Sequence, residues 1–181
     1  MKKDDFLKNI QNQNNHRLLL WLAMEMTNEP GGKVVEFGSG HGSSPYIREY
    51  CEANGREFES YDNHPQWAKD TGATLIDNWD SVDASGADVL LIDHAPGERR
   101  KIDLPKYKDK VAIIICHDTE PAADHGYQMR QHFNKFKYIA EIKGIKNQGA
   151  WATVMSNFLD VRKMIGEKYG NYEVRGYSPE N

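Results

Sequence analysis

Apolar residues recur at helical spacing between residues 14 and 27. Leu18, Leu22 and Met26 form a stripe there that Leu19 and Trp21 widen. The polar run Gln11-Asn12-Gln13-Asn14-Asn15 separates this helix from a short leading one, and Glu29-Pro30-Gly31-Gly32 stops it. The period then changes. Residues 33–37 are a short apolar run, followed at once by Gly38-Ser39-Gly40-His41-Gly42. Ser44-Pro45 opens a helix that runs to Asn54-Gly55, because serine caps a helix start, proline suits its first turn and glycine ends it. Strands are predicted over 57–62, 73–77, 88–93 and 111–116, with a helical turn at 65–69. Met129 and Phe133, four apart, predict a helix over 124–135. Residues 137–142 and 151–156 are two further strands that pair across a turn at 144–149, and a last helix over 158–168 leads into a polar tail.

Strands that are apolar on both faces belong to a parallel sheet covered by helices on both sides. The expected fold is therefore α/β: a doubly wound, mostly parallel seven-stranded sheet ending in an antiparallel hairpin. The chain reads as one Rossmann-like domain over 1–181, with an N-terminal helical cap (1–30), a core (32–157) and a C-terminal helix and tail (158–181). In such a sheet the C-terminal strand ends form one edge, and ligands bind there. Asp62, Asp77, Asp93 and His117-Asp118 all fall at those ends.

Composition narrows the partners. The 181 residues carry 23 Lys and Arg against 27 Asp and Glu, a net charge of −4, so no nucleic-acid partner is expected. At 39% hydrophobic residues the chain is too apolar for global disorder. No apolar run approaches the roughly 20 residues that cross a bilayer, and the charged start Met1-Lys2-Lys3-Asp4-Asp5 lacks the apolar core of a secretion signal. Cys51 and Cys116 make neither a disulfide framework nor a zinc motif. A cytoplasmic location without membrane contact is expected. The apolar stripe of the N-terminal helix fits core packing, a cover over the site or a homo-oligomer contact.

The glycine loop brings backbone close to a ligand and points it at a helix N-terminus. Asp62, twenty residues beyond Gly42, sits where a carboxylate can accept from a ribose diol. A dinucleotide fingerprint wants a third glycine, and its place falls on Ser43 or Pro45. Val34-Val35-Glu36-Phe37-Gly38-Ser39-Gly40-His41-Gly42 instead resembles motif I of the class I S-adenosylmethionine-dependent methyltransferases. Tyr61-Asp62, with Asn63 beside it, resembles that family's ribose-holding acid, and Asp77-Asn78-Trp79 resembles the segment beside the adenine. Asp93 resembles the acid near the methyl group. The resemblance covers roughly residues 32–157. It implies that S-adenosylmethionine is held by Glu36, Gly38, Ser39, Gly40, Gly42, Asp62, Asn63, Asp77, Asn78 and Trp79, with Glu36 positioning its methionine part.

Methyl transfer needs an aligned nucleophile and, for a hydroxyl, a proton acceptor or a metal. Asp93-His94 and His117-Asp118 are acid–histidine pairs at neighbouring strand ends, and all four are candidate catalytic residues. His117-Asp118-Thr119 resembles the fifth-strand ending of metal-dependent macrocin-type sugar O-methyltransferases, which makes Asp93 and Asp118 candidate ligands for magnesium or another divalent cation. Ala95-Pro96-Gly97-Glu98-Arg99-Arg100 is a Pro-Gly turn projecting two arginines that suit an anionic group on the acceptor, and Tyr127 and His125 are candidates for the acceptor pocket. Trp79 is a candidate adenine stack, whereas Trp21, Trp67 and Trp151 read as core or rim packing. The expected function is S-adenosylmethionine-dependent methyl transfer to oxygen of a small molecule or sugar. A nicotinamide-dependent oxidoreductase and a non-catalytic nucleotide-binding module stand as alternatives.

Overall fold

The computed structural model describes residues 1–147 and 149–176. In chain order, α1 (Lys3–Phe6) leads through a polar turn to α2 (His16–Met26). Then come β1 (Lys33–Phe37), α3 (Ser44–Ala53), β2 (Glu57–Asp62), α4 (Pro65–Thr71) and β3 (Thr74–Leu75). They are followed by β4 (Val89–Ile92), α5 (Arg100–Tyr107), β5 (Ile113–His117) and α6 (Pro121–Tyr127). The last elements are β6 (Tyr138–Ile142), β7 (Ala152–Ser156), β8 (Lys168–Tyr169) and β9 (Tyr172–Gly176). Residues 177–181 of the expected polar tail lie outside the described residues.

The strands lie in the order β3-β2-β1-β4-β5-β7-β6-β9-β8. β1 to β5 pair in parallel, while β7 runs antiparallel to both β5 and β6. The α/β sheet and its antiparallel hairpin are as expected, but the sheet is mixed and has nine strands among the described residues rather than seven. The extra pair lies just beyond the stretch 158–168, where a helix was expected. Only a single 3-10 turn forms there (Val161–Met164), and Gly166 then takes a φ of +89°, which ends it. Beyond it, Tyr172 and Val174 are buried while Arg175 is exposed, the period of a strand. β9 adds to β6, and β8 pairs with β9.

Two other expectations change. The helix expected over 124–135 breaks at Gln128, whose φ is +53°. The Asp124 carboxylate accepts from the backbone N–H groups of Met129 and Arg130 at 2.7 and 3.0 Å, which draws them out of a helical ladder. Helix α5 adds to the expected elements; it contains Pro105 and buries Leu104 and Tyr107.

Alternation along the central strands divides the core in two. Val34, Val89, Leu91, Ile113 and Ile115 face α1, α2 and α3. Val35, Leu90, Ile92, Ile114 and Cys116 face the other side, against Trp79, Leu104, Tyr107 and Phe133. The sheet is thus covered on both faces, and its free edge for chemistry is the line of strand C-termini. Among the described residues no helix is long and apolar enough to cross a membrane.

Candidate functional site

The glycine loop is shaped from beneath. Glu36 is fully buried in β1 and accepts from three hydroxyls: Ser43 Oγ at 2.5 Å, Ser44 Oγ at 2.6 Å and Ser60 Oγ at 2.6 Å. These contacts tie the start of α3 and the middle of β2 to β1. Ser44 Oγ also accepts from the Gly40 N–H at 2.9 Å. Gly38 takes a φ of +90°, and a Cβ there would meet the backbone of Asp93 and His94 at 2.5 Å. Only glycine lets β1 turn away directly against the end of β4.

Burial pushes the Glu36 carboxyl up to about 7, with partial relief from the three hydroxyls. A carboxyl that holds its proton more tightly folded than unfolded stabilises fully below the unfolded pKa and loses that contribution as pH rises through the folded value. The stability difference between wild type and Glu36→Gln should therefore fall by up to about 3 kcal/mol from pH 4.5 to above pH 7. Urea unfolding across that range measures it; a difference independent of pH would contradict the shift.

Above the loop lies a cavity of about 540 Å³, within the range of small-ligand and cofactor sites. The loop lines it with Gly38, Ser39, Gly40, His41, Gly42 and Ser43. The end of β2 and the start of α4 add Asp62, Asn63, His64 and Trp67, and the end of β4 adds Asp93 and Ala95. Asp62 Oδ2 accepts from the Ser39 N–H at 2.8 Å and Ser39 Oγ at 3.0 Å, and its Oδ1 accepts from the His64 N–H at 2.7 Å. This clasp fixes the loop to β2 and leaves acceptor capacity on the carboxylate. A Cβ on Gly40 would meet nothing nearer than 3.9 Å, so the loop backbone is open to a ligand. These features fit an adenosyl cofactor. Glu36 does not line the cavity; it supports the loop from behind.

At the far end stands a charged cluster. His117 Nδ1 is 3.3 Å from Asp93 Oδ2 and 3.5 Å from Asp118 Oδ1. Arg100 holds the opposite oxygens, Asp93 Oδ1 at 3.0 Å and Asp118 Oδ2 at 3.2 Å. Asp118 has a φ of +54°, a conformation rare outside glycine that turns its carboxylate back toward β4. One donor atom each from Asp93, His117 and Asp118 lies within 4.8 Å of the others, a spacing that fits a divalent cation. Burial opposes the charge of Asp93, but His117 and Arg100 outweigh it and hold its carboxyl down at about 2. Burial likewise opposes protonation of His117, and Asp93 and Asp118 outweigh it, so its pKa is raised.

The structure brings together Asp93, His117 and Asp118, and adds His16, which the sequence reading missed. His16 opens α2, lines the cavity, and has its ring 4.3 Å from that of His117. It is 3% exposed, and neither ring nitrogen has a hydrogen-bond partner among the described residues. Burial, then the neighbouring His117, lowers its pKa well below the ordinary value, so it is neutral. Gln13 and Asn14 from the preceding turn also line the cavity. The N-terminal segment is therefore a wall of the site.

Other expected residues lie elsewhere. His94 points into the core, with Nε2 2.9 Å from Asp103 Oδ2 and its ring 4.3 Å from that of Trp79. Trp79 is 4% exposed and donates its indole N–H to the Ala95 carbonyl at 2.9 Å, so its faces are used within the protein. Neither Asp77 nor Asn78 lines the cavity; the Asn78 side chain caps the turn that carries Trp79. The two arginines do not project from an open loop. Arg99 binds Asp80 and Asp103, and Arg100 is a buried clamp on Asp93 and Asp118. The Tyr127 ring lies 4.6 Å from the Arg100 guanidinium and packs on Gly97 so closely that a Cβ there would overlap it.

No protein-family model matches the sequence, and no curated protein matches it. Solved structures do. A METTL16 methyltransferase domain aligns with a TM-score of 0.52 and 12% identity over 80% of this chain and 66% of its own length, so the chain spans just under two thirds of it. The human METTL16 domain is also known in complex with SAH and in complex with a MAT2A 3′UTR hairpin. A probable spermidine synthase from Corynebacterium glutamicum aligns at TM-score 0.67 and 9% identity over 96% of this chain and 77% of that one. A human methyltransferase 10 domain containing protein aligns at 0.51 and 8%, over 80% and 83%. At these identities the likeness is one of architecture, and together with the strand order and glycine loop it gives this chain the fold of the class I S-adenosylmethionine-dependent methyltransferases.

Proposed function

We propose that the protein transfers a methyl group from S-adenosylmethionine to an oxygen of a small polar acceptor, such as a sugar, in the cytoplasm. One observation carries this reading: the glycine loop and Asp62 share a single cavity with Asp93 and His16. Cofactor-binding elements and proton-handling groups thus face one space. When bound, the cofactor supplies the electrophilic methyl group.

The chain's own residues do the rest. The loop from Gly38 to Gly42, with Asp62 and Asn63, would hold the cofactor at the strand ends. Gln13, Asn14 and His16 close the opposite wall and limit the water that reaches it. Asp93 stays ionised and orients what lies beside it. His16, neutral and with no hydrogen-bond partner among the described residues, is placed in the cavity wall to take the hydroxyl proton, and His117 stands against its ring outside the lining. A groove lined by Gln11, Asn12, Asn171 and Tyr172 adjoins the cavity through Gln13, and its amides suit a hydroxylated acceptor. The net charge of −4 favours such an acceptor over RNA.

A second reading of the far end rests on the converging donor atoms. Asp93, His117 and Asp118 would hold a divalent cation that polarises the acceptor oxygen. Exhaustive chelation separates the two: unchanged turnover keeps the histidine as base and removes the metal. The function is tested with radiolabelled S-adenosylmethionine and three acceptor pools: small molecules, RNA and protein. Label is expected in the small-molecule pool; label confined to RNA would overturn the acceptor class.

A further inference from the structure

The groove beside the cofactor cavity has a volume of about 460 Å³, enough for a small ligand of its own, and Gln13 lines both spaces. Three segments far apart in sequence meet there: the turn before α2, the loop between β6 and β7, and the β8–β9 hairpin. The strand register explains the meeting. Val174 of β9 pairs with Ile142, the last residue of β6, so Tyr172 and the turn before it project past the strand ends. Gly170, with a φ of +59°, suits the two-residue turn between Tyr169 and Tyr172. The Asn12 carboxamide ties the three segments together. Its Oδ1 accepts from the Tyr172 hydroxyl at 3.0 Å and from the Ile145 N–H at 3.1 Å. The groove is thus held in shape by the protein itself.

The chemistry of the lining is selective. Gln11, Asn12, Gln13 and Asn171 bring four carboxamides, and Ile10 and Ile145 add aliphatic faces. Among the described residues no Lys, Arg, Asp or Glu lines the groove, in a chain of which 28% is charged. Amides both donate and accept, which matches hydroxyl groups, and aliphatic faces match the C–H side of a sugar ring. A phosphate or carboxylate would find no cation there.

We propose that this groove is the subsite for a neutral sugar unit of the acceptor, and that the β8–β9 hairpin, through Asn171, sets which acceptor is taken. The subsite rests on the methyl-transfer reading of the neighbouring cavity. The reacting hydroxyl reaches His16 in that cavity, while the rest of the acceptor lies against the amides. The strand pair beyond Gly166 thereby gains a use, since its turn is one wall of the subsite.

The test is saturation-transfer NMR on the full chain. Neutral probes are glucose, galactose, mannose, maltose and lactose; charged probes are glucose 6-phosphate, glucuronate and a short RNA hairpin. At least one neutral sugar should bind, and no charged probe should displace it. Asn171→Ala should weaken that sugar about fivefold or more, because a hydrogen-bonding amide is lost from the groove. Asn171 is exposed, so the variant should melt with wild type. It should bind S-adenosylhomocysteine within about twofold of wild type, since Asn171 does not line the cofactor cavity. Equal sugar affinity in wild type and Asn171→Ala, or displacement by any charged probe, overturns the proposal. S-adenosylhomocysteine binding without any neutral sugar overturns the subsite and leaves the methyl-transfer reading. Asn171-dependent sugar binding without S-adenosylhomocysteine keeps the subsite and overturns that reading.

Discussion

Asp93→Asn should lower methyl transfer about a thousandfold while changing S-adenosylhomocysteine affinity by no more than a few-fold. The variant keeps the shape of the side chain and removes its charge. Asp93 lies at the cavity's far end, where it pairs with both Arg100 and His117. Neutralising it takes one of the two carboxylates from Arg100, leaving Asp118, and lowers the affinity of His117 for its proton, because Asp93 is the largest influence raising it. The asparagine also cannot serve as an anionic ligand if a cation is held there. Both readings of the far end therefore predict a collapse in turnover, measured as single-turnover label transfer with cofactor saturating. Full activity would remove Asp93 from the chemistry. A parallel loss of S-adenosylhomocysteine binding would assign it to the cofactor instead.

Gly38→Ala should cost roughly 3 kcal/mol or more of stability and abolish cofactor binding in whatever folds. The methyl group would meet Asp93 and His94 backbone at 2.5 Å, and backbone cannot swing aside as a flexible side chain can. The φ of +90° adds strain of its own. The clash acts on both halves of the site at once, since Gly38 belongs to the loop and Asp93 to the acceptor end. Gly40→Ala is the control, because a Cβ there meets only Gly42 N, at 3.9 Å. It should fold as wild type and lose affinity for the cofactor alone. Chemical unfolding and S-adenosylhomocysteine titration of the two variants separate these effects; comparable stability of Gly38→Ala and wild type would contradict the close approach of β1 and β4.

The local part of this site was legible in the chain. A strand, a glycine loop, a capped helix and an acid at the next strand end are adjacent in sequence, and periodicity alone orders them. Asp93, His117 and Asp118 were legible too, because each ends an apolar strand and parallel strands align their ends. What escaped depends on distant packing. His16 meets His117 across 101 positions, and nothing near residue 16 signals that contact. Arg100 looked exposed because its neighbours are polar; its partners come from two strand ends that only the fold assembles. Trp67 and Trp79 exchanged environments for the same reason. Trp79 is drawn inward by the Ala95 carbonyl and the His94 ring, while Trp67 is carried outward by the register of a two-turn helix. The strand pair after Gly166 was missed because two residues of β8 and five of β9 are too short a sample for period two to outweigh the apolar spacing of Val161 and Met164.

One cavity is expected to bind an adenosylmethionine cofactor. Calorimetric titration of the full chain with S-adenosylhomocysteine and, separately, with NAD tests it most directly. One S-adenosylhomocysteine site per chain is expected, lost in Gly40→Ala, with no NAD binding. An NAD site lost in Gly40→Ala, with no heat from S-adenosylhomocysteine, would contradict it.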